Sequence, residues 1–161
     1  MAYASKELKQ KVVSLIKEKA QEMKVKVDLN VKIRNYSTLC VNIKGCSIDL
    51  KQNLIDTITG RIAEMEASGC YGVFEMQRLE KFLNENANRS GDYHETYGLS
   101  FDLNEPEKTF SGDALTLIKA VIDAIKCDYY DNSDPMTDYF NTAYYFDLSI
   151  GKNKNGLALK S

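Results

Sequence analysis

The sequence predicts an α+β fold in which an antiparallel or mixed sheet packs against three or four helices. Three observations predict it. Apolar residues recur at three- and four-residue spacing in some segments, they alternate with polar residues in others, and the segments follow one another in the order α β β (β) α α β α β. The chain has 161 residues without an obvious linker or internal repeat, so residues 1–161 are expected to form a single domain.

The first segment, residues 5–24, is predicted to be an amphipathic helix. Ser5 is a suitable N-cap, because its hydroxyl can accept a hydrogen bond from a free backbone N–H of the first turn. The apolar residues at helical spacing are Leu8, Val12, Leu15, Ile16, Ala20 and Met23.

Residues 25–43 are predicted to form a β-hairpin with one solvent-exposed face. Apolar residues occupy the odd positions from Val25 to Ile33, and the same phase continues through Leu39, Val41 and Ile43. Between the two strands, residues 35–37 (Asn-Tyr-Ser) have the composition of a turn.

In the middle of the chain, residues 46–50 (CSIDL) are expected to be a further short extended piece. A second helix is predicted after them, ending near Ser68-Gly69 and marked by Leu54, Ile55, Ile58, Ile62 and Met65. Residues 71–86 favour a third helix through Phe74, Leu79, Phe82 and Leu83, although YGVFEM could begin as a strand.

After a polar loop at residues 84–92, alternation over residues 93–103 predicts another strand. Ser111 and Asp113 offer capping groups for a strongly periodic helix that runs to about Cys127. The aromatic and β-branched residues of AYYFDLSIG (143–151) predict a final strand.

Composition limits the class of protein. With 43% apolar and 27% charged residues, the chain is expected to fold rather than to be disordered. No apolar run approaches the roughly 18–20 residues that a membrane-spanning helix needs, and the amino terminus lacks the pattern of a secretion signal, so a cytoplasmic protein is expected. The four cysteines form no CxxC pair and are expected to be reduced, partly buried thiols: Cys40, Cys46, Cys70 and Cys127.

Common catalytic and cofactor motifs are missing from the sequence. Nucleophilic catalysis that depends on an imidazole could use only His94, which lies in no recognisable motif. No clustered Cys and His ligands predict zinc, and neither GxxxxGK[ST] nor GxGxxG is present to bind phosphate. A protein that is not an enzyme and carries no cofactor or metal is therefore expected, although paired carboxylates for acid–base chemistry remain possible because acids are abundant.

The most unusual stretch is residues 128–147, where aspartates and aromatic residues are interleaved. It does not fit a calcium loop, because the EF-hand order and the closing glutamate are absent. Two interpretations remain: an ordinary turn at residues 131–135, or a partner-binding surface in which tyrosines provide rigid contact area and carboxylates pair with guanidinium groups. The candidate binding residues are Asp128, Tyr129, Tyr130, Asp131, Asp134, Asp138 and Tyr139.

Charge is divided along the chain. Residues 1–51 carry 11 Lys or Arg against 5 acids, whereas residues 85–147 carry 13 acids against 4 bases. The acidic stretch would steer the protein toward a basic partner. The opposite hypothesis is a nucleic-acid surface on the hairpin, formed by Lys32, Arg34 and Lys44 with Tyr36 at the tip; a merely solvated basic face is a third interpretation.

Two stretches resemble a known family: CSIDL at residues 46–50, and YYDNSDPMTDYFNTAYYFDLSIGK at residues 129–152. They resemble the large polyvalent protein-associated domains of phages, plasmids and conjugative elements, in which a strand ending in a similar Ser-Ile-Asp precedes a helix. The resemblance covers roughly residues 26–60 and the tail segment. It implies the company of proteins that protect incoming DNA from host defence, and it supplies no catalytic residues.

In that setting, a small protein without catalytic motifs looks like an anti-restriction or anti-CRISPR inhibitor. The expected function is stoichiometric, non-enzymatic inhibition of a host defence nuclease, with a guide-RNA-loaded Cas9-type ribonucleoprotein as partner. Its acidic face could occupy a channel that normally holds nucleic acid, or the protein could clamp a mobile nuclease domain. The alternative function is a nucleic-acid-binding accessory domain that uses the lysine-bearing hairpin.

Overall fold

The structure of the protein, a computed structural model, describes residues 2–69, 72–87, 98–134, 136, 141–152 and 157–159. Within these residues the chain forms four α-helices and a four-stranded mixed sheet, which confirms the α+β prediction. The elements are α1 (Lys6–Glu22), β1 (Val27–Arg34), β2 (Thr38–Cys46), α2 (Leu50–Ser68), α3 (Val73–Ala87), a 3-10 turn (Pro106–Lys108), α4 (Gly112–Ile125), β3 (Tyr145–Ile150) and β4 (Ala158–Leu159).

Helix α1 forms as its periodicity predicts. The Ser5 side chain accepts a hydrogen bond from the backbone N–H of Leu8 at 3.0 Å, so the predicted N-cap is confirmed. The buried stripe of the helix consists of Leu8, Val12, Ile16 and Ala20. This stripe packs against the sheet and against α4.

Strand β2 lies at the centre of the sheet. It pairs with β1 in the predicted antiparallel hairpin. Its other edge pairs in parallel with β3 and, further along β2 at Gly45 and Cys46, with β4. Odd-numbered residues of β2 face the helices, because Leu39, Val41 and Ile43 are almost fully buried. The sheet is therefore mixed, with its apolar face under the helices.

The CSIDL segment does not form the separate extended piece that the sequence suggested. Cys46 is instead the last residue of β2, and Asp49 caps α2 by accepting a hydrogen bond from the Gln52 N–H at 3.1 Å. A short side-chain acceptor placed just before an apolar period starts a helix at once, so no room is left for a strand. Helix α2 ends at Gly69, whose φ of 66° gives the left-handed cap predicted there.

The strand predicted over residues 93–103 is wrong for the described part, residues 98–103, which form no strand; residues 93–97 lie outside the described residues. One bond, from the Leu99 N–H to the Ile150 carbonyl at 2.8 Å, joins this segment to β3. Gly98 passes so close to the Ile150 carbonyl oxygen that a Cβ there would lie 2.5 Å from it, and its φ is 73°. Only glycine fits this approach.

Along the rest of this segment, side chains bond the backbone in place of a neighbouring strand. We call the four residues involved the polar latch: Arg78, Asn86, Ser100 and Asp102. The Asn86 amide bonds both the N–H and the carbonyl of Ser100, at 2.7 and 2.6 Å. Asp102 accepts the Arg78 guanidinium at 2.5 Å and the N–H groups of Asn104 and Glu105 at 3.1 Å. Because the latch binds these backbone groups, they do not need a neighbouring strand.

Helix α4 forms in the predicted region, at Gly112–Ile125, but Ser111 does not cap it with its side chain. Its hydroxyl lies 2.8 Å from the Thr57 hydroxyl and its backbone N–H donates to Asn53, so Ser111 links α4 to α2 instead. The helix buries seven residues in the core: Ala114, Leu117, Ile118, Val121, Ile122, Ala124 and Ile125. No helix in the described part of the chain is long and apolar enough to cross a membrane.

Candidate interaction surface

Four exposed tyrosines lie on segments that are joined at one end of the molecule, which we call the tyrosine end: Tyr3, Tyr36, Tyr130 and Tyr145. Their exposed fractions are 64%, 81%, 50% and 52%. Four backbone hydrogen bonds hold the segments that carry them: Tyr3 N–H to Ala143 O, Ala4 N–H to Tyr36 O, Ala143 N–H to Tyr130 O and Tyr145 N–H to Ser37 O, at 2.8–2.9 Å. The four tyrosines therefore come from four separate segments on a shared scaffold.

Tyr36 lies at the tip of the hairpin, in a backbone conformation that disfavours it. Asn35 and Tyr36 have φ angles of 52° and 60°. Asparagine tolerates this left-handed region, but for a residue with a large side chain the conformation costs free energy, and glycine is the usual choice. A tyrosine that is 81% exposed gains little packing in return. This combination is typical of a residue kept for contact with another molecule.

An open recess separates Tyr3 from Tyr36. It has a volume of about 560 Å³ and is lined by Tyr3, Ala4, Lys6, Ile33, Asn35 and Tyr36. Both tyrosines thus border one concavity, together with apolar Ala4 and Ile33 and with Lys6. A partner side chain can enter such a recess, which is a feature of the anchor points in protein interfaces.

Alternation along β3 separates structural aromatic residues from exposed ones. Tyr144 is buried and donates its hydroxyl to the Ile125 carbonyl at 2.5 Å. Tyr129 contacts both Tyr144 and Phe146 edge to face, with ring centroids 5.6 and 5.2 Å apart. Tyr145 points to the other side of the strand and remains exposed. Tyr129, Tyr144 and Phe146 therefore belong to the core, and Tyr130 and Tyr145 to the surface.

The three described aspartates among the predicted binding residues have structural contacts within the chain. Asp128 accepts the Lys11 ammonium at 2.8 Å, which ties α1 to the loop after α4. Asp131 accepts the Ser133 N–H at 3.0 Å and the Thr142 hydroxyl at 3.2 Å. Asp134 accepts the Met136 N–H at 2.9 Å. Asp138 and Tyr139 lie outside the described residues.

These contacts have the expected effects on ionisation. Hydrogen bonds from Ser133 and Thr142 favour the charged form of Asp131, so its pKa lies below its ordinary value. The bond to Asp128 stabilises charged Lys11 and raises the pKa of that ammonium. Burial raises the pKa of the Tyr144 phenol to about 12. Asp131 is therefore charged at neutral pH, and its bonds shape the turn that the sequence allowed as one interpretation.

The other side of the sheet is polar. On this face β1 carries Lys32 and Arg34, both exposed, and β2 carries half-buried Lys44. A recess of about 160 Å³ on it is lined by Asn30, Lys32, Cys40, Val41, Asn42, Asp147, Ser149 and Lys152. The strand register places Cys40 between Lys32 and Asp147. An acid therefore interrupts the basic surface that the alternative hypothesis requires.

The described ranges of the chain hold free thiols but no cluster of metal-ligating side chains. They contain no group of three or more His, Cys, Asp or Glu residues arranged to hold a metal ion. Cys40, Cys46 and Cys127 are free thiols, and burial raises the pKa of Cys46 and Cys127. Cys70 and His94 fall among the residues left undescribed.

Two residues of this surface, Tyr36 and Tyr3, were not predicted from the sequence to belong to it. Tyr36 was assigned only to the basic hairpin, and Tyr3 was not selected, because its position depends on a bond to Ala143 that no local pattern encodes. Tyr145 could have been found, because period-2 alternation sets it opposite Tyr144 and Phe146. Comparisons of the chain with protein-family models, curated proteins and solved structures give no match.

Proposed function

We propose that the protein is a non-enzymatic inhibitor that binds a host defence nuclease through the tyrosine end. The proposed partner is a guide-RNA-loaded Cas9-type ribonucleoprotein in the bacterial cytosol. One observation carries the proposal: Tyr3, Tyr36, Tyr130 and Tyr145 are brought together on four segments and left exposed.

Tyrosine is suited to this role for physical reasons. Its ring buries a large area at the cost of ordering only two side-chain torsions, and its hydroxyl can bond a partner at the rim of the contact. Tyrosines are accordingly enriched among the residues that dominate protein–protein affinity. A surface with four of them, beside a recess of about 560 Å³, supports protein recognition more than catalysis.

The choice of partner follows from the resemblance of residues 46–50 and 129–152 to domains of mobile elements. Proteins from that setting meet host nucleases that destroy incoming DNA. A nuclease channel is lined with Lys and Arg, which fits the acidic character of residues 85–147. The resemblance supplies the class of partner, and the tyrosine end supplies the means of binding it.

The local contacts of the aspartates favour aromatic contact over mimicry of nucleic-acid phosphates. Asp128, Asp131 and Asp134 each order the loop that carries Tyr130. Their main role is then to position tyrosines, and their charge adds steering. Inhibition by such a contact weakens only slightly as ionic strength rises, whereas a charge mimic of DNA loses affinity steeply.

A cleavage titration tests the proposal. Purified protein is added to several Cas9-type ribonucleoproteins before target DNA, and those that respond are examined for co-elution in size-exclusion chromatography. We expect inhibition that saturates near one equivalent, with co-elution of the complex. Normal cleavage by every effector, with folded protein present, contradicts the proposal.

Matched variants locate the contact. The triple variant Tyr3→Ser, Tyr36→Asn, Tyr145→Thr should abolish inhibition, because it removes three anchors while keeping residues suited to the local backbone. The control is Phe74→Ser on α3, which removes an aromatic side chain that is 87% exposed elsewhere. A second variant, Asp131→Ser with Asp134→Ser and Asp138→Ser, should weaken inhibition less than the tyrosine variant. The reverse ranking would assign the contact to charge.

A second candidate function is binding of single-stranded nucleic acid by the hairpin. The observation in its favour is that exposed Lys32 and Arg34 precede the exposed Tyr36 on the hairpin. Cations that contact phosphate beside an aromatic ring that stacks on a base form the usual single-strand surface. A gel-shift series with single- and double-stranded DNA tests it, because phosphate contacts require affinity that falls strongly with salt.

A further inference from the structure

The outer side of β1 lacks a strand partner. The sheet order places β1 at one edge, with β2 on its inner side, and in the described part of the chain no other strand pairs with it. In an antiparallel pair, alternate residues of an edge strand point their backbone N–H and carbonyl groups away from the partner. Val27–Arg34 therefore presents eight residues of edge that a further strand can bond.

Apolar packing is incomplete along the same edge. Leu39 and Ile43 of β2 are fully buried, whereas Ile33 and Leu29, their partners in β1, are only half-buried. A recess of about 330 Å³ lies beside Ile33, between the edge and the first turns of α1, and is lined by Lys6, Lys9, Gln10 and Ile33. The half-buried side chains of Leu29 and Ile33 therefore lie next to the outward-pointing backbone groups of β1.

The charges of β1 are self-complementary. On its polar face the strand carries Asp28, Asn30, Lys32 and Arg34 in that order. If two copies of β1 pair antiparallel about a two-fold axis at Val31, Asp28 lies opposite Arg34 of the second copy, and Asn30 lies opposite Lys32. On the apolar face, Leu29 then lies opposite Ile33, beside its recess. Opposite charges and apolar pairs across strands both stabilise a sheet.

Paired residues must lie on the same face of the sheet, so any other register shifts the pairing by two positions and moves the two-fold axis to a neighbouring residue. The charge pairs of these registers are less favourable. An axis at Asn30 places Asp28 opposite Lys32 of the second copy, but it also places Lys26 opposite Arg34. An axis at Lys32 places the two Lys32 side chains opposite each other. Both create like-charge pairs, which are destabilising. The axis at Val31 avoids them.

We propose that the protein forms a two-fold homodimer in which β1 pairs antiparallel with β1 of a second copy, centred on Val31. The two sheets then become one continuous sheet. Because the pairing is antiparallel, the two Tyr36 loops lie at opposite ends of the paired strands. The proposal does not depend on the identity of the inhibitor's partner.

Charge exchange tests this geometry by multi-angle light scattering across a dilution series. Wild-type protein should be a dimer at the higher concentrations. Asp28→Arg alone places two arginines opposite each other across the dimer interface. Arg34→Asp alone places two aspartates opposite each other. Each variant should shift the equilibrium to monomer at least tenfold. The double variant Asp28→Arg, Arg34→Asp restores both opposite-charge pairs and should restore the dimer. Lys44→Asp is the matched control on β2, one strand from the edge, and should leave the dimer intact.

A wild-type protein that stays monomeric at every concentration overturns the proposal. So do single variants that remain dimeric, and so does a double variant that stays monomeric when both singles dissociate. If the charge variants do not fold, amide hydrogen exchange of the wild-type protein decides: the outward amides of Val27–Arg34 should exchange more slowly as concentration rises. Exchange independent of concentration there counts against the dimer.

Discussion

The polar latch and the tyrosine end depart in opposite ways from the rule that polar residues lie outside and apolar residues inside. In the latch, Asn86 is fully buried and Asp102 nearly so, yet their side chains bond backbone groups and the Arg78 guanidinium. At the tyrosine end, large rings lie in solvent. A buried polar group that is fully bonded has its partner within the chain, whereas an exposed ring does not. The first region explains stability and the second suggests a partner.

The largest effect is expected in the latch. Asn86→Ala removes three hydrogen bonds and leaves the Ser100 N–H and carbonyl without their amide partner. The free energy of unfolding should fall by about 2–4 kcal/mol, because three hydrogen bonds to a fully buried amide are lost at about 0.5–1.5 kcal/mol each. Urea denaturation followed by circular dichroism measures it.

The control for this change is Asn132→Ala near the tyrosine end, where the residue is exposed. It should change the free energy of unfolding by less than about 0.5 kcal/mol. Equal effects at the two sites would remove the distinction between the regions.

A smaller effect is expected for Tyr144→Phe, which removes the hydroxyl bonded to Ile125. Stability at neutral pH should fall by about 1 kcal/mol. The pKa of Tyr144 is about 12 in the folded protein, against an ordinary value of 10. Between these values the unfolded chain loses the proton and the folded chain keeps it, so wild-type stability declines as pH rises through this window. The Phe variant should decline less, as measured by urea denaturation at several alkaline pH values.

Tyr36→Gly should act in the opposite direction. Relief of the left-handed conformation at φ 60° should raise the free energy of unfolding by about 0.5–1 kcal/mol, while binding to a nuclease weakens. Asn35→Gly is the comparison, and its gain should be smaller, because Asn tolerates this conformation. Thermal unfolding and the cleavage titration measure the two properties. A destabilised Tyr36→Gly would mean that the ring packs on the fold.

Tyr130→Ser should leave stability within about 0.5 kcal/mol of wild type, because half of the side chain is already in water. A larger loss, seen in the same urea series, would move Tyr130 from the surface group to the structural group that contains Tyr129.

The smallest expected effect concerns Asp131, whose pKa is lowered by Ser133 and Thr142. The stabilisation from these bonds is present above the ordinary pKa of aspartate and is lost as pH falls through the lowered value. A carboxyl NMR titration should find Asp131 ionising below the ordinary aspartate range. In the Thr142→Val, Ser133→Ala variant its pKa should return toward that range.

Local pattern was sufficient for most of the fold. Helices α1, α2 and α4 and the hairpin follow from periodicities that each segment carries by itself, and Ser5 and Gly69 mark ends that the sequence identifies. For α3 the sequence favoured a helix but left a strand start open, and the helix continues to Ala87, into the predicted loop. Residues 98–103 have the alternation of a strand but not its structure, because Asn86 and Asp102 bond their backbone groups. That competition joins positions distant in sequence, so no window of the sequence contains it.

The surface was harder to predict than the fold for the same reason. Density of acid and tyrosine selected residues 128–139, where the described aspartates turn out to have local partners. The exposed tyrosines instead gather through the bonds of Tyr3 to Ala143 and of Tyr145 to Ser37. Composition detects what is concentrated along the chain, and it misses what folding concentrates in space.

The parallel pairing of β2 with β3 also sets the order of events during synthesis. Asn42 and Ser149, which lie side by side in it, are 107 positions apart, so most of the chain leaves the ribosome before β3 exists. Until then the hairpin exposes the second edge of β2, with Leu39, Val41 and Ile43 on one face. Long-range pairing of this kind is slow to form, and open apolar strands invite aggregation. The tyrosine end, which needs both strands, is completed last, so a nascent chain acquires the proposed binding surface only after β3 is translated.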